Sequence, residues 1–169
     1  MNQFEEILQG GDLRSIGESN RIGSLIKNQE DFDELFELLF HTDRKVAMRA
    51  ADSVEKITSK YPNYLVHHKK EILKFFDNAN NIEMKWHLAL IVSRLRLNDN
   101  EVGFVWQVLT RWANNHRESK IVRVNSIQGL FNLLQQHGEL EKDFQLTLDQ
   151  VQREKIPSIN ARLRKLKKN

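Results

Sequence analysis

The chain has 169 residues, 40% of them apolar and 29% charged, with seven glycines, two prolines and no cysteine. That length is the usual size of one domain, and a core under a charged exterior excludes a disordered chain. The lack of cysteine excludes disulfides, iron–sulfur clusters, thiolate catalysis and cysteine-bound zinc, and the longest apolar run, Leu88 to Val92, falls far short of the ~20 residues that span a membrane.

The formal net charge of +3 conceals an uneven distribution. Met1 to Asp43 carries 3 Lys/Arg against 10 Asp/Glu, and the remainder carries 23 against 13. Such polarity means either a basic surface suited to an acidic partner or opposite ends of a rod. Met1 to Leu8 is acidic and amphipathic, unlike a basic leader followed by an apolar block, so a cytoplasmic location is expected.

Residues 1–29 read as an irregular helical cap. Gly10-Gly11 and Gly17 to Gly23 lack the spacing and the closing Lys-Ser/Thr of a phosphate loop and serve as helix punctuation. Ser19 lacks the second glycine of a nucleophile elbow and reads as an N-cap. Residues 30–61 then form a helix pair. Phe32, Leu35, Phe36, Leu38 and Leu39 have helical spacing, Thr42 or Asp43 caps the next run, and Val46, Ala50, Val54 and Ile57 follow until Tyr61-Pro62 ends it. The carboxylates Glu30 to Glu37 crowd a helix N-terminus, where the macrodipole alone accounts for them.

The plan recurs over 62–98, 99–137 and 138–169. Val54, Val92 and Leu130 stand 38 apart, as do Ile57, Leu95 and Leu133, and Met48, Trp86 and Val124. Self-similarity at that period, with two helices per unit, predicts an all-α single domain, a short right-handed α-solenoid of stacked antiparallel helix pairs. Trp106 and Trp112 fall on a first helix and are expected in the core.

The stretch Asp43-Arg44-Lys45-Val46-Ala47-Met48-Arg49-Ala50-Ala51-Asp52-Ser53-Val54-Glu55-Lys56-Ile57 resembles the turn and second helix of a HEAT repeat, an armadillo-like fold. Gly10 to Gly17 is similar to the start of small bacterial HEAT-repeat proteins. The resemblance implies a ladder between a turn Asp and a second-helix Arg. Asp43 and Arg49 fit it, whereas Asn81 and His87, then Ser119 and Asn125, occupy the same places one and two periods on. A HEAT-like family of iron hydroxylases carries His-Glu dipeptides, and this chain has none. Glu83 and His87, four apart, are a polar pair on one helix rather than a metal site. No cofactor or metal is expected, and no enzymatic activity.

Rotating 100° per residue from the buried row places Met48, Trp86 and Val124 away from it, as an apolar ridge on the second helices. Arg49, Lys85, Arg94 and Arg123 surround that ridge. In curved helical solenoids the second helices line the concave side. The expected function is therefore a non-enzymatic scaffold or adaptor binding a protein or peptide there, with Trp86 as anchor. The alternative, suggested by DNA alkylation-repair proteins with HEAT-like repeats, is nucleic acid gripped by the same cations.

Overall fold

The computed structural model describes residues 3–10 and 16–167, with the side chains of 16–20 left aside. The described residues are helical throughout their regular structure, with ten α-helices, short 3-10 turns and no strand. They group into two units, residues 1–69 and 70–169. In each, helices pack in the stacked-pair manner of an α-solenoid.

The first unit holds α1 (Gln3–Gln9), α2 (Ile16–Leu25), α3 (Gln29–Glu37) and α4 (Arg44–Lys60). Ser19 falls inside α2 rather than at its start, because the helix begins three residues earlier, which corrects the expected N-cap. Gly11 lies outside the described residues. Asn28 caps α3, its side chain accepting from the Asp31 N–H at 2.8 Å, and α3 tightens to a 3-10 turn over Leu38–Phe40. Of the two candidate caps of α4, Asp43 takes the role, accepting from the Lys45 N–H at 2.8 Å.

The seventeen residues of α4 form the centre of this unit. Val46, Ala50 and Val54 are fully buried, and α1, α2 and α3 all pack on the helix. Its cations also bind the end of α1. Lys45 Nζ donates to the Gln9 carbonyl at 3.0 Å, and Arg49 donates to the carbonyls of Leu8 and Gly10. These are carbonyls that a helix C-terminus leaves without intrahelical partners, and positive charge is favoured there.

Beyond Tyr61, which precedes Pro62 and ends α4, the chain makes a 3-10 stretch over Pro62–His68 where the apolar spacing predicts the start of the next helix. The tighter winding aims His68 at α3. Its ring stacks on Phe36 at 3.9 Å, its Nε2 lies 2.6 Å from Asp33 Oδ1, and Tyr64 stacks on Phe32 at 5.0 Å. Burial raises the Asp33 carboxyl's affinity for a proton, but hydrogen bonds from Gln29 and His68 and the charge of the two histidines outweigh it. The pKa settles below its ordinary 3.8. A depressed pKa adds stability above the ordinary value that is lost as pH falls through the depressed one. Melting curves should thus show Asp33→Asn below the parent at neutral pH, with the gap closing as pH falls through the depressed carboxyl value. A gap constant with pH would show that the carboxylate contributes nothing by its charge.

The second unit contains α5 (Lys69–Asp77), α6 (Ile82–Ile91), α7 (Asp99–Asn114), α8 (Lys120–Leu134), α9 (Glu141–Arg153) and α10 (Pro157–Leu166). Here α8 is central, packing on α6, α7, α9 and α10. Asn81, Asn98 and Ser119 cap α6, α7 and α8, and Asn98 completes a capping box with Glu101. Thus Asp43, Asn81 and Ser119, one period apart, share one task. The rows read from the sequence are interior: Val92 and Leu130 are fully buried, Leu95 nearly so, and Trp106 and Trp112 lie in the core with Phe76 against the Trp112 ring at 4.8 Å.

Candidate partner-binding site

The second helices of the second unit approach one another unusually closely. An ideal Cβ built on Gly129 of α8 would stand 2.4 Å from the Ala89 carbonyl oxygen of α6, so only a glycine permits this contact. Around it, amide side chains bind neighbouring helices. Asn125 Nδ2 donates to the Trp86 carbonyl at 3.1 Å, Asn132 Nδ2 to Ser93 Oγ at 3.0 Å, and Arg162 of α10 to Gln128 Oε1 at 2.6 Å. Gln128 in turn donates to Asn132 at 2.9 Å. A continuous relay therefore runs from α10 through α8 to the turn after α6.

Met48 and Arg49 belong to the first unit, where Met48 is half-buried and Arg49 holds the end of α1. The other five residues of the expected site are in the second. Trp86 is half-buried, edge-on to His87 at 5.1 Å, and its indole N–H is shielded from water without an acceptor. Val124 is half-buried beside Asn125, and Arg94 is half-buried and engaged within the chain. Lys85 forms an ion pair with Glu118, and its ammonium lies 5.4 Å from the centre of the Trp112 ring.

Arg123 departs most from expectation. The 100° rotation puts it on the rim of the ridge, yet it is 2% exposed. Its Nε donates to the Ala113 carbonyl at 2.8 Å and its NH2 to Glu154 at 2.6 Å. An arginine stem is long enough to fold inward when a carboxylate and a helix-end carbonyl wait there. Bonded mainly by Arg123, Glu154 keeps its carboxyl below the ordinary 4.5.

Lys85 and Arg123 are one period apart and equivalent, each the fourth residue of its second helix. Each reaches a glutamate in the turn before the next second helix, Glu118 before α8 and Glu154 before α10. This forward ladder is invisible to an apolar period. The signal that would have exposed it is a cation and an acid recurring at separations of 33 and 31 residues.

A cavity of about 570 Å³ in the first unit is lined by Lys56, Lys60, Tyr61 and Tyr64 together with Ile57. It opens at the carbonyl end of α4, and Lys56 is paired with Asp52, so its field favours neither sign of ligand. Among the described residues no three His, Asp or Glu side chains gather as a metal ion would require, and no helix is long and apolar enough to cross a membrane.

Comparison with curated proteins and with solved structures yields no match. The family model for the HEAT repeat domain matches residues 11–169, in agreement with capped helix pairs at a period of 38 and with second helices that dock on one another. The chain belongs to the HEAT repeat family.

Proposed function

We propose that the protein is a non-enzymatic scaffold whose second-helix face on α6 and α8 receives a protein partner. HEAT repeats generally mediate protein–protein interaction. The observation that favours a protein over nucleic acid is the commitment of the cations. A phosphate-gripping surface would need Arg49, Lys85 and Arg123, and each instead bonds to carbonyls or carboxylates of its own chain. Beside the charged Glu83, Lys85 and Lys120, these helices present half-exposed apolar and amide side chains: Trp86, Leu90, Val124, Gln128 and Phe131. A large aromatic ring rimmed by amides is the composition of an interaction hot spot.

The test uses partners recovered by affinity purification from cell extract. Trp86→Ala should weaken the recovered complex by about 2 kcal/mol or more, roughly thirtyfold in Kd. Leu90→Glu, at a half-exposed position, should do likewise without lowering the melting temperature. Random-sequence DNA should bind only in the nonspecific range of about 10⁻⁴ to 10⁻⁶ M and release as salt is raised. Tight, salt-resistant DNA binding unaffected by Trp86→Ala would transfer the function to nucleic acid.

A further inference from the structure

One period beyond Val124, the row that runs through Met48 and Trp86 reaches Arg162 of α10. This arginine is half-buried, and among the described residues its side chain bonds only to a neutral acceptor, Gln128 Oε1, at 2.6 Å. Two other cations of the second helices are matched, Lys85 by Glu118 and Arg123 by Glu154. Arg162 forms no ion pair with any described residue. Burial pushes its guanidinium below the ordinary arginine value, and no acidic neighbour offsets the loss of water. A guanidinium does not give up its proton in a folded protein, so Arg162 keeps both its charge and the desolvation cost.

The guanidinium is also held in place. Arg162 donates to Gln128, Gln128 Nε2 donates to Asn132 Oδ1 at 2.9 Å, Asn132 Nδ2 to Ser93 Oγ at 3.0 Å, and the Ser93 hydroxyl to the Leu90 carbonyl at 2.7 Å. Every donor in this file points the same way, from α10 towards α6. The Gln128 amide therefore presents its oxygen to Arg162, and most of the guanidinium's N–H groups stay available. A planar fork set before a ligand arrives loses less entropy on binding one. Val124 and Phe131, one turn to either side of Gln128, give the fork half-exposed apolar neighbours. One carboxylate set among apolar residues matches that arrangement, whereas a nucleic-acid backbone carries a phosphate at every nucleotide and needs a row of free cations. On the reading of this face as a protein-binding surface, we infer that its α8–α10 part receives a partner segment bearing an aspartate or glutamate, whose carboxylate pairs with Arg162 while apolar neighbours pack on Val124 and Phe131.

The probe is a phage-displayed library of random dodecapeptides selected on the purified protein, the recovered peptides then being synthesised and measured by fluorescence anisotropy. They should share an aspartate or glutamate beside large apolar residues. Changing that acid to its amide and Arg162→Met should each weaken binding about tenfold, and the two together no more than either alone. Arg164→Met, at an exposed cation of the same helix, should leave affinity within about twofold. Gln128→Glu supplies the missing charge from the chain itself, so it should raise the melting temperature of the free protein and weaken the peptide about tenfold. Additive losses, equal losses from Arg162→Met and Arg164→Met, a Gln128→Glu protein that melts lower and binds as before, or a selection without an acidic consensus would each overturn the assignment. Peptides lost with Trp86→Ala but indifferent to Arg162→Met would overturn it while leaving the protein-binding face intact, and peptides indifferent to both would remove that face as well. Tight binding of random-sequence DNA abolished by Arg162→Met would assign the guanidinium to phosphate instead.

Discussion

Replacing Gly129 by alanine should lower the stability of the second unit by about 2–3 kcal/mol, although alanine is the better helix former by about 1 kcal/mol. The propensity gain is real but small beside the collision. The new methyl would sit 2.4 Å from a backbone oxygen of α6 and 3.1 Å from Leu109 Cδ1, and a backbone oxygen inside a helix cannot swing aside as a side-chain tip can. Relief requires α6 and α8 to separate, and that lengthens the amide bonds Asn125 and Asn132 make across the same seam. Gly103 is the internal control. It lies in the middle of α7 with nothing within 4 Å of a built Cβ, so Gly103→Ala should stabilise by about 0.5–1 kcal/mol. Urea denaturation of the two variants separates the effects by sign. A Gly129→Ala protein as stable as its parent would mean that α6 and α8 do not meet so closely.

The second large effect is expected at the buried end of the forward ladder. Glu154→Ala leaves Arg123, 2% exposed, with a guanidinium nitrogen that has lost its carboxylate. Breaking one half of a fully buried pair costs about 3–5 kcal/mol, because the surviving charge keeps its desolvation penalty without its partner, and with 17% of the Glu154 side chain in contact with water the loss here should fall below that range. The double variant Arg123→Met with Glu154→Leu removes both charges and should recover most of the loss, which identifies the penalty as the stranded cation. The pair also titrates. Since Glu154 has its pKa depressed in the folded protein, the stability it adds is complete above the ordinary value of 4.5 and disappears as pH falls through the depressed one. The difference between parent and Glu154→Ala, measured by thermal unfolding, should therefore shrink on acidification. Glu118→Ala should cost less than Glu154→Ala, because Lys85 keeps its place over the Trp112 ring and 15% of its side chain remains in contact with water.

The parts of this fold that were legible in the sequence are those that a period can carry. A repeat of 38 identifies the interior residues Val92 and Leu130 and sets Asp43, Asn81 and Ser119 at equivalent places, all three of which cap helices. Rotation about a helix axis also separates Trp86 and Val124 from the fully buried row, and both are half-buried. It fails for Arg123 because an angle locates Cβ, whereas a guanidinium sits several bonds further on and goes where its partners are. Gly129 was silent for the opposite reason: with no side chain it enters no hydrophobic pattern, and its importance lies in an atom it lacks. The 3-10 stretch at Pro62–His68 likewise resembles helix in its apolar spacing, since Leu65 is buried in either winding.

The forward ladder has a consequence for the chain as it leaves the ribosome. Lys85 acquires its carboxylate 33 residues after its own synthesis and Arg123 must wait 31, so each second helix is made before the group that neutralises it exists. Until Glu154 has emerged, α8 can dock on α6 and α7 only by burying an unmatched cation or by leaving Arg123 turned out into water. The turn before α10 thus supplies the charge that α8 lacks on its own, and the last helix pair of the second unit completes the neutralisation of Arg123.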